Sequence, residues 1–556
     1  MAMRRLSSPV AVVALVACLV WSLNPSFVQA QAYAAKPKLV VIVVIDQFRG
    51  DLLQRYRPEL KGRGFKLFLD EGAWFPDCYY NYANTKTAPG HATIGTGAYT
   101  DGHGIESNEW WDAARSYDHR VTSVEDEHYR LVDLPAGETD TPGTSPRSLR
   151  ASTLGDELRL ATQGRSRVFG VSLKDRAAIL PPGQAANGAF WLDDASGRFT
   201  SSTYYMEHLP EWAQSFNSGS RLAEAAKEGG VNNKGKFSAT IEMTQAADHY
   251  ELDFAQALIA GEKLGQGATT DLLTVSLSAH DAIGHRYGPD SEQAHAEVLG
   301  LDASLDRFFG WLDKTIGLGN VWVALSADHG VAPVPATAAA LGMNSATVDM
   351  KTLAAEVNAQ LNAHFPHSKT RFPQPPTSNY LLSGSDLPYI TLDRRVFEAA
   401  NIDEKSAEDA LAAILPVAIA KLAPPSPDAP VTHRLAPTPT VVGTYTRLQL
   451  AHGEVPPTEL GRELAHSYTS HGNWWVMLLL DDYQMPDLHS SGTTHFSPWS
   501  YDRHVPLAFY GAPFVPGTYR GRVEPVDLAA TFASLLGVNM PSAAVGRVLT
   551  ESLKKP

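Results

Sequence analysis

An α/β fold built on a central, mostly parallel sheet is the architecture this sequence predicts, and three observations predict it. Continuous apolar, β-branched runs recur at 38–45 (KLVVIVVI), 271–278 (DLLTVSLS) and 321–326 (VWVALS), the composition of strands buried on both faces. Patterns of helical period lie between and around them, at 59–70, 152–162, 253–264 and 294–312. Strands alternating with helices make a sheet with covered faces. Each run also gives way to an acid: Asp46 after the first, Asp281 shortly after the second, Asp328 after the third. Open α/β sheets bind ligands outside the carboxyl ends of their strands, so the three acids are expected to face one crevice.

Taken in order, the chain begins MAMRR, runs through apolar residues over 10–23 and reaches small-residue sites at Val28-Gln29-Ala30 and Ala30-Gln31-Ala32. A run this short suits a secretory leader over 1–30 rather than a bilayer span. Leu15-Val16-Ala17-Cys18 also resembles a lipoprotein box, but apolar Leu19-Val20-Trp21 follows it. Lipid anchoring at Cys18 is therefore the lesser reading, and no transmembrane segment is expected in the mature chain. Once the leader is gone Cys78 is the remaining cysteine, which excludes an intramolecular disulfide.

After the first strand comes NTKTAPGHATIGTG at 84–97. Proline is tolerated in the first turn of a helix, so Thr87 is expected at a helix N-terminus with free backbone donors beside it. Two roles are open there: a capping hydroxyl, or a group placed where anions bind. A further strand, RVFGVSL at 167–173, runs into Lys174 and Arg176. Two blocks then break the rhythm, an aromatic and small-polar stretch at 181–236 and a Pro/Ala-rich stretch at 333–457. Both read as insertions covering the carboxyl edge, where lids and specificity elements are commonly placed. Strand character returns at 473–480 (NWWVMLLL) and 504–511 (HVPLAFYG), and 526–536 is a closing helix.

Length and composition permit a large core: 556 residues, 44% hydrophobic and 19% charged. The net charge of −14 becomes more negative by two when Arg4 and Arg5 leave with the leader. Such a surface repels nucleic acid, and phosphate chemistry would have to rest on local positive charge.

The chemistry-bearing residues follow the strands. Asp281 and His285 stand in HDAIGHRYGP, Asp328 and His329 in SADHG, and His495 in GTTHFSPWSYDRHVP. One histidine among 19 carries little information, since most serve as core or surface residues. The joint pattern carries more. Asp-x-x-x-His brings a carboxylate and an imidazole within reach of one ion, adjacent Asp-His supplies two more ligands, and mixed N/O donors suit Zn²⁺.

The set Asp46, Thr87-Ala-Pro-Gly-His91, Asp281-x-x-x-His285, Asp328-His329 and His495 resembles the alkaline phosphatase superfamily, in its type I phosphodiesterase/nucleotide pyrophosphatase branch. More narrowly, it is similar to the secreted bacterial alkaline phosphatases of that branch that use threonine as nucleophile. The resemblance runs in order from Asp46 to the closing helix, and it implies one alkaline-phosphatase-like catalytic domain over 37–556, a three-layer sheet flanked by helices. It also implies two Zn²⁺, one held by Asp281, His285 and His495, the other by Asp46, Asp328 and His329 with Thr87 as the reacting ligand. Asn108 matches the family's phosphoryl-contacting asparagine, and Lys174 with Arg176 matches the Lys-x-Arg pair of its monoesterases. A dianionic monoester needs more positive charge than a diester, which arginine and lysine can supply. The implied activity is phosphate monoester hydrolysis through a phosphothreonine, serving phosphate acquisition outside the cytoplasm. A phosphodiesterase or nucleotide pyrophosphatase on the same scaffold is the alternative, and a secreted zinc- or phosphate-binding protein is the rival of another class. His91, His103, His489 and His504 are expected to play supporting roles, as the ligand positions are filled without them. The oligomeric state cannot be read from the chain.

Overall fold

The computed structural model describes residues 36–134, 142–231, 237–365, 379–383, 386–422, 439–470, 472–488 and 492–555. The leader expected over 1–30, with Cys18 in it, and His489 lie outside the described residues.

The strands used below are, in chain order, β1 (Leu39–Ile45), β2 (Ala73–Tyr79), β3 (Val168–Ser172), β4 (Gly188–Leu192), β5 (Phe199–Thr200), β6 (Asp271–Leu277), β7 (Val321–Ser326), β8 (Tyr389–Thr391), β9 (Val441–Thr446), β10 (Trp475–Leu480), β11 (His504–Tyr510) and β12 (Gly517–Thr518). Nine of them form one sheet in the order β12-β2-β11-β7-β1-β6-β3-β4-β5. β1 lies parallel to both β6 and β7, and β3 is parallel to β6 and β4. β11 runs antiparallel to β2 and β7. The three acid-terminated runs are thus neighbours at the centre, buried along their whole length, where each aliphatic side chain contributes about 1.5–3 kcal/mol.

The helices that matter are α1 (Thr87–Thr96), α2 (Leu154–Ala161), α3 (Asp175–Ile179), α4 (Gln245–Gly261), α5 (Ala279–Tyr287), α6 (Glu292–Thr315), α7 (Met350–His364), α8 (Glu404–Ala420) and α9 (Asp527–Leu536). α2, α6 and α9 fall where the sequence pattern puts them, and α2 opens on a capping box between Thr153 and Asp156. α4 starts earlier than its apolar pattern suggests.

The helix expected over 59–70 is reduced to one turn, Lys66–Leu69, after a 3-10 turn at Arg57–Glu59. Two acids of α6 explain the difference. Asp302 accepts the Lys61 and Phe65 backbone N–H groups and Asp306 accepts that of Arg63, so side chains take donors that a helix would have used internally.

The two interrupting blocks differ from one another. The 181–236 stretch does not only cover the sheet: β4 pairs parallel with β3 and β5 pairs antiparallel with β4, so it widens the sheet at one edge. The 333–457 stretch holds α7, α8, β8 and β9, which pack around Val357, Leu361, Leu411 and Leu415 as a separate core. Its small antiparallel sheet, β8-β10-β9, is completed by β10 at Trp475–Leu480, beyond 457. NWWVMLLL therefore serves this smaller core rather than the main sheet.

Buried carboxyls give the fold a pH signature. Burial pushes Glu106 and Glu408 up to about 8 and Asp502 up to about 7. These groups bind protons in the folded chain where the unfolded chain has released them, so each loses stability as pH rises from the ordinary carboxyl range to its raised value. Burial also depresses His280 to about 4 and His329 to about 3. Those two gain stability as pH rises, but only up to the ordinary histidine range. Above about pH 6.5 the histidine gain has ended while the raised carboxyls still lose stability, and the metal-stripped protein should melt at a lower temperature at pH 9 than at pH 6.5. Calorimetry across that range checks the sign; a flat or rising profile would refute it.

Candidate active site

Strand ends build the site. Asp46 follows β1 directly, and its N–H continues the ladder to Leu277 O at 2.9 Å. Asp281 lies in the first turn of α5, directly after β6, with His285 one turn on. Asp328 and His329 follow β7. His495 comes from the loop before β11, and its Nδ1–H donates to Thr85 O at 2.7 Å, beside Thr87.

The structure brings these six residues into two groups able to hold a metal ion, Asp281-His285-His495 and Asp46-Asp328-His329, with the ligand atoms of each within 4.8 Å of one another. The groups adjoin. The His329 and His495 rings stack with centroids 3.5 Å apart and planes 15° apart.

Hydrogen bonds settle which atoms face inward. His285 donates Nδ1–H to Thr493 O at 2.7 Å, His329 to Gly330 O at 2.9 Å, and His495 to Thr85 O. Such bonds leave every Nε2 as a lone-pair acceptor. His329 Nε2 then lies 3.4 Å from both Asp46 Oδ1 and Asp328 Oδ2, two buried oxygens with no hydrogen-bond partner among the described residues. In the other group, His285 Nε2 and His495 Nε2 lie 3.1 and 3.8 Å from Asp281 Oδ1. Acceptors facing acceptors in a buried space require a cation or a proton between them. Zn²⁺ fits this donor set, since neutral imidazole and carboxylate are its ligands and three of them leave a position open.

Electrostatics agree. Burial pushes the Asp328 carboxyl up, and Asp46 beside it adds to the rise. Burial alone would also raise Asp281, but the Lys174 ammonium, with His285, holds it far below the usual range. His495 is driven well down by burial and by the neighbouring histidines.

Thr87 is the first residue of α1. The cap position belongs to Lys86, no side chain caps the helix, and the Thr87 hydroxyl lies 3.5 Å from His329 Nε2. Small residues let this helix start approach the metal groups. A Cβ at Gly90 would stand 2.2 Å from Asp328 O. The free backbone donors expected there are fewer than a helix start usually offers. Ala88 N–H is bonded to Asn108 Oδ1 at 2.8 Å, Pro89 has none, and Gly90 N–H closes the first turn on Lys86 O.

Asn108 is brought to Thr87 by that bond. Lys174 stands at the ligands themselves: its amine lies 2.6 Å from Asp46 Oδ2 and 2.5 Å from Asp281 Oδ2, pairing with carboxylates of both groups. Burial lowers its pKa, but the two carboxylates outweigh burial and raise it; the cation sits where it best offsets two buried charges. Arg176, two residues on, contacts Asp175 at 3.9 Å, and its buried Nε has no hydrogen-bond partner among the described residues.

The supporting histidines behave as expected where described. His91 donates Nδ1–H to Thr87 O and meets Ser276 Oγ with Nε2; His103 accepts from Ile105 N–H and meets Thr93 Oγ1; His504 bonds Pro76 O. Trp110, Trp111, Trp191, Trp474 and Trp475 are buried. Burial raises the Cys78 thiol, leaving it unactivated. Gln47 escapes sequence analysis although it touches both groups, through its N–H to Asp328 Oδ1 and its amide to Asp281 Oδ1. Its one signal is adjacency to Asp46. A third acid-histidine group, Asp126-Glu127-His128, already has Arg147 paired to both its acids.

Comparison with known proteins locates this arrangement. The family model described as type I phosphodiesterase / nucleotide pyrophosphatase matches residues 40–416. Alkaline phosphatase PhoV of Synechococcus elongatus is 33% identical over 560 residues, covering 94% of each chain. Alkaline phosphatase PafA of Elizabethkingia meningoseptica is 32% identical over 555 residues, covering 93% of this chain and 94% of that protein. The crystal structure of wild-type PafA superposes with a TM-score of 0.81 at 30% identity, over 93% of this chain and 99% of the other. No described helix is long and apolar enough to cross a membrane.

Proposed function

The chain belongs to the type I phosphodiesterase / nucleotide pyrophosphatase family, and from that premise we propose that it is a zinc-dependent alkaline phosphatase, hydrolysing phosphate monoesters through a phosphothreonine at Thr87. The observation that carries this is the pair of acceptor-only groups beside a threonine hydroxyl with no capping duty.

Asp281, His285 and His495 would hold one Zn²⁺, and Asp46, Asp328 and His329 the other, with Thr87 at the open position. Two bound zinc ions supply Lewis acidity toward the attacking and leaving oxygens of an in-line displacement. Thr87 Oγ1 gives up its proton to solvent and forms the new bond to phosphorus as the bond to the leaving alkoxide breaks, and that alkoxide takes a proton from solvent. Water then attacks phosphorus as the bond to Oγ1 breaks, a proton released by that water restores the Thr87 hydroxyl, and inorganic phosphate leaves. Two displacements give net retention at phosphorus. Asn108 uses Oδ1 on Ala88 N–H, which turns its NH₂ group into a donor for a phosphoryl oxygen. The Arg176 guanidinium has donor capacity to spare, and Lys174 adds a fixed positive charge. The leader over 1–30 supports export, to the periplasm or beyond, and a role in phosphate acquisition from small phosphate esters. The blocks at 181–236 and 333–457 fit lid and specificity elements; Asp386 of the second pairs with Lys86, one residue before Thr87.

Turnover of p-nitrophenyl phosphate against bis-p-nitrophenyl phosphate, before and after combining Lys174→Ala with Arg176→Ala, tests the substrate class. Monoester turnover should dominate and should fall by about 10²-fold or more in the double variant, while diester turnover changes little. Better diester turnover, untouched by the substitutions, would replace this reading with a phosphodiesterase.

A further inference from the structure

We propose that Gln47 is a positioning residue that ties the two ligand groups together, holding the Asp281 carboxylate in its metal-binding orientation; this rests on the two-metal reading above.

Three locally unfavourable features converge on this side chain. Gln47 has φ 66°, in the left-handed region, which is strained for a residue other than glycine. It is fully buried, and its Oε1 has no hydrogen-bond partner among the described residues. It also lies against Gly284 inside α5, where a Cβ would stand 1.9 Å from Oε1, and glycine within a helix is itself unfavourable. Features that break local rules together mark a functional constraint.

The compensation is two oriented carboxylates. Gln47 N–H and His329 N–H both donate to Asp328 Oδ1 at 3.0 Å, which leaves Oδ2 to face His329 Nε2. Gln47 Nε2–H donates to Asp281 Oδ1 at 2.7 Å, the oxygen that faces His285 Nε2 and His495 Nε2. The amide cannot be reversed, because Oε1 would then meet a carboxylate oxygen. The left-handed turn at the end of β1 lets one residue reach both groups, and Gly284 makes room for its side chain.

Gln47→Gly removes the carboxamide while accepting the left-handed backbone without strain, and it keeps the N–H bond to Asp328. Zinc titration of metal-stripped protein against a competing chelator, with bound metal counted by mass spectrometry, should show two Zn²⁺ per wild-type chain. In Gln47→Gly one of the two should bind about 10- to 100-fold more weakly, while the other keeps its wild-type affinity. Gly284→Ala, which pushes the amide off Asp281, should weaken the same equivalent in the wild-type background and add nothing in the Gln47→Gly background. Wild-type zinc affinity in Gln47→Gly would overturn the proposal, as would an equal loss from Gly284→Ala in both backgrounds. Should Gln47→Gly not fold, Gly284→Ala alone decides, undiminished affinity for both ions overturning the proposal. A wild-type chain that binds no zinc would instead overturn the two-metal reading beneath it.

Discussion

Thr87→Ala should abolish phosphate ester hydrolysis, lowering kcat by at least about 10⁴-fold, the scale on which removal of an enzyme's nucleophile is felt, while leaving the fold and zinc content intact. A capping threonine would behave differently. Its loss costs about 1 kcal/mol of stability and touches turnover only indirectly. In the structure the cap position is Lys86, no side chain caps the helix, and the Thr87 hydroxyl lies 3.5 Å from His329 Nε2. Thr87→Ser should keep substantial activity, since it keeps the hydroxyl. Acid quenching during turnover should trap phosphate on residue 87 in wild type and not in the alanine variant. Wild-type kcat in Thr87→Ala, with a lowered melting temperature, would return this residue to a purely structural role.

Asp328→Asn should have opposite effects on stability and activity. In the folded chain Asp328 Oδ2 lies 3.4 Å from His329 Nε2 and 3.3 Å from His91 Nδ1, whose proton goes to Thr87 O, and it has no hydrogen-bond partner among the described residues; burial with the Asp46 charge pushes its carboxyl up. Asparagine puts an NH₂ group at that point, turning repulsion into hydrogen bonds while keeping an acceptor for Gln47 N–H and His329 N–H. The metal-free variant should melt at or above the wild-type temperature at pH 8. It should also lose most of the stabilisation that zinc confers on wild type and about 10³-fold in turnover, as the Lewis acid contributes several kcal/mol to such reactions. Calorimetry with and without Zn²⁺, beside the p-nitrophenyl phosphate assay, reads both quantities. A metal-free Asp328→Asn protein markedly less stable than metal-free wild type would show that this carboxylate serves the fold rather than an ion.

What was legible in the chain was what periodicity and adjacency encode. β1, β6 and β7 stand where their β-branched runs do, because strands buried on both faces admit few polar residues until they end. Asp46, Asp281 and Asp328 could be placed at one crevice for the same reason, and the helical spacing of Asp281 and His285 set them on one face. Two things depended on distant partners and could not be read so. The helix expected over 59–70 yields to Asp302 and Asp306, more than 200 residues on. The 181–236 stretch joins the sheet because β3 offers β4 an open edge.

The site divides along the same line. The sequence by itself determined the residue types and the strand and helix ends that carry them, because local propensity and hydrophobic patterning act over a few residues. Only the tertiary structure decided that His495 is held at Thr85 O beside Thr87, that Lys174 pairs with Asp46 and Asp281, and that Gln47 spans both ligand groups. These are contacts between buried charges and dipoles, and their partners are chosen by which groups must be neutralised or hydrogen-bonded once water is gone. That condition exists only after the chain has closed around them.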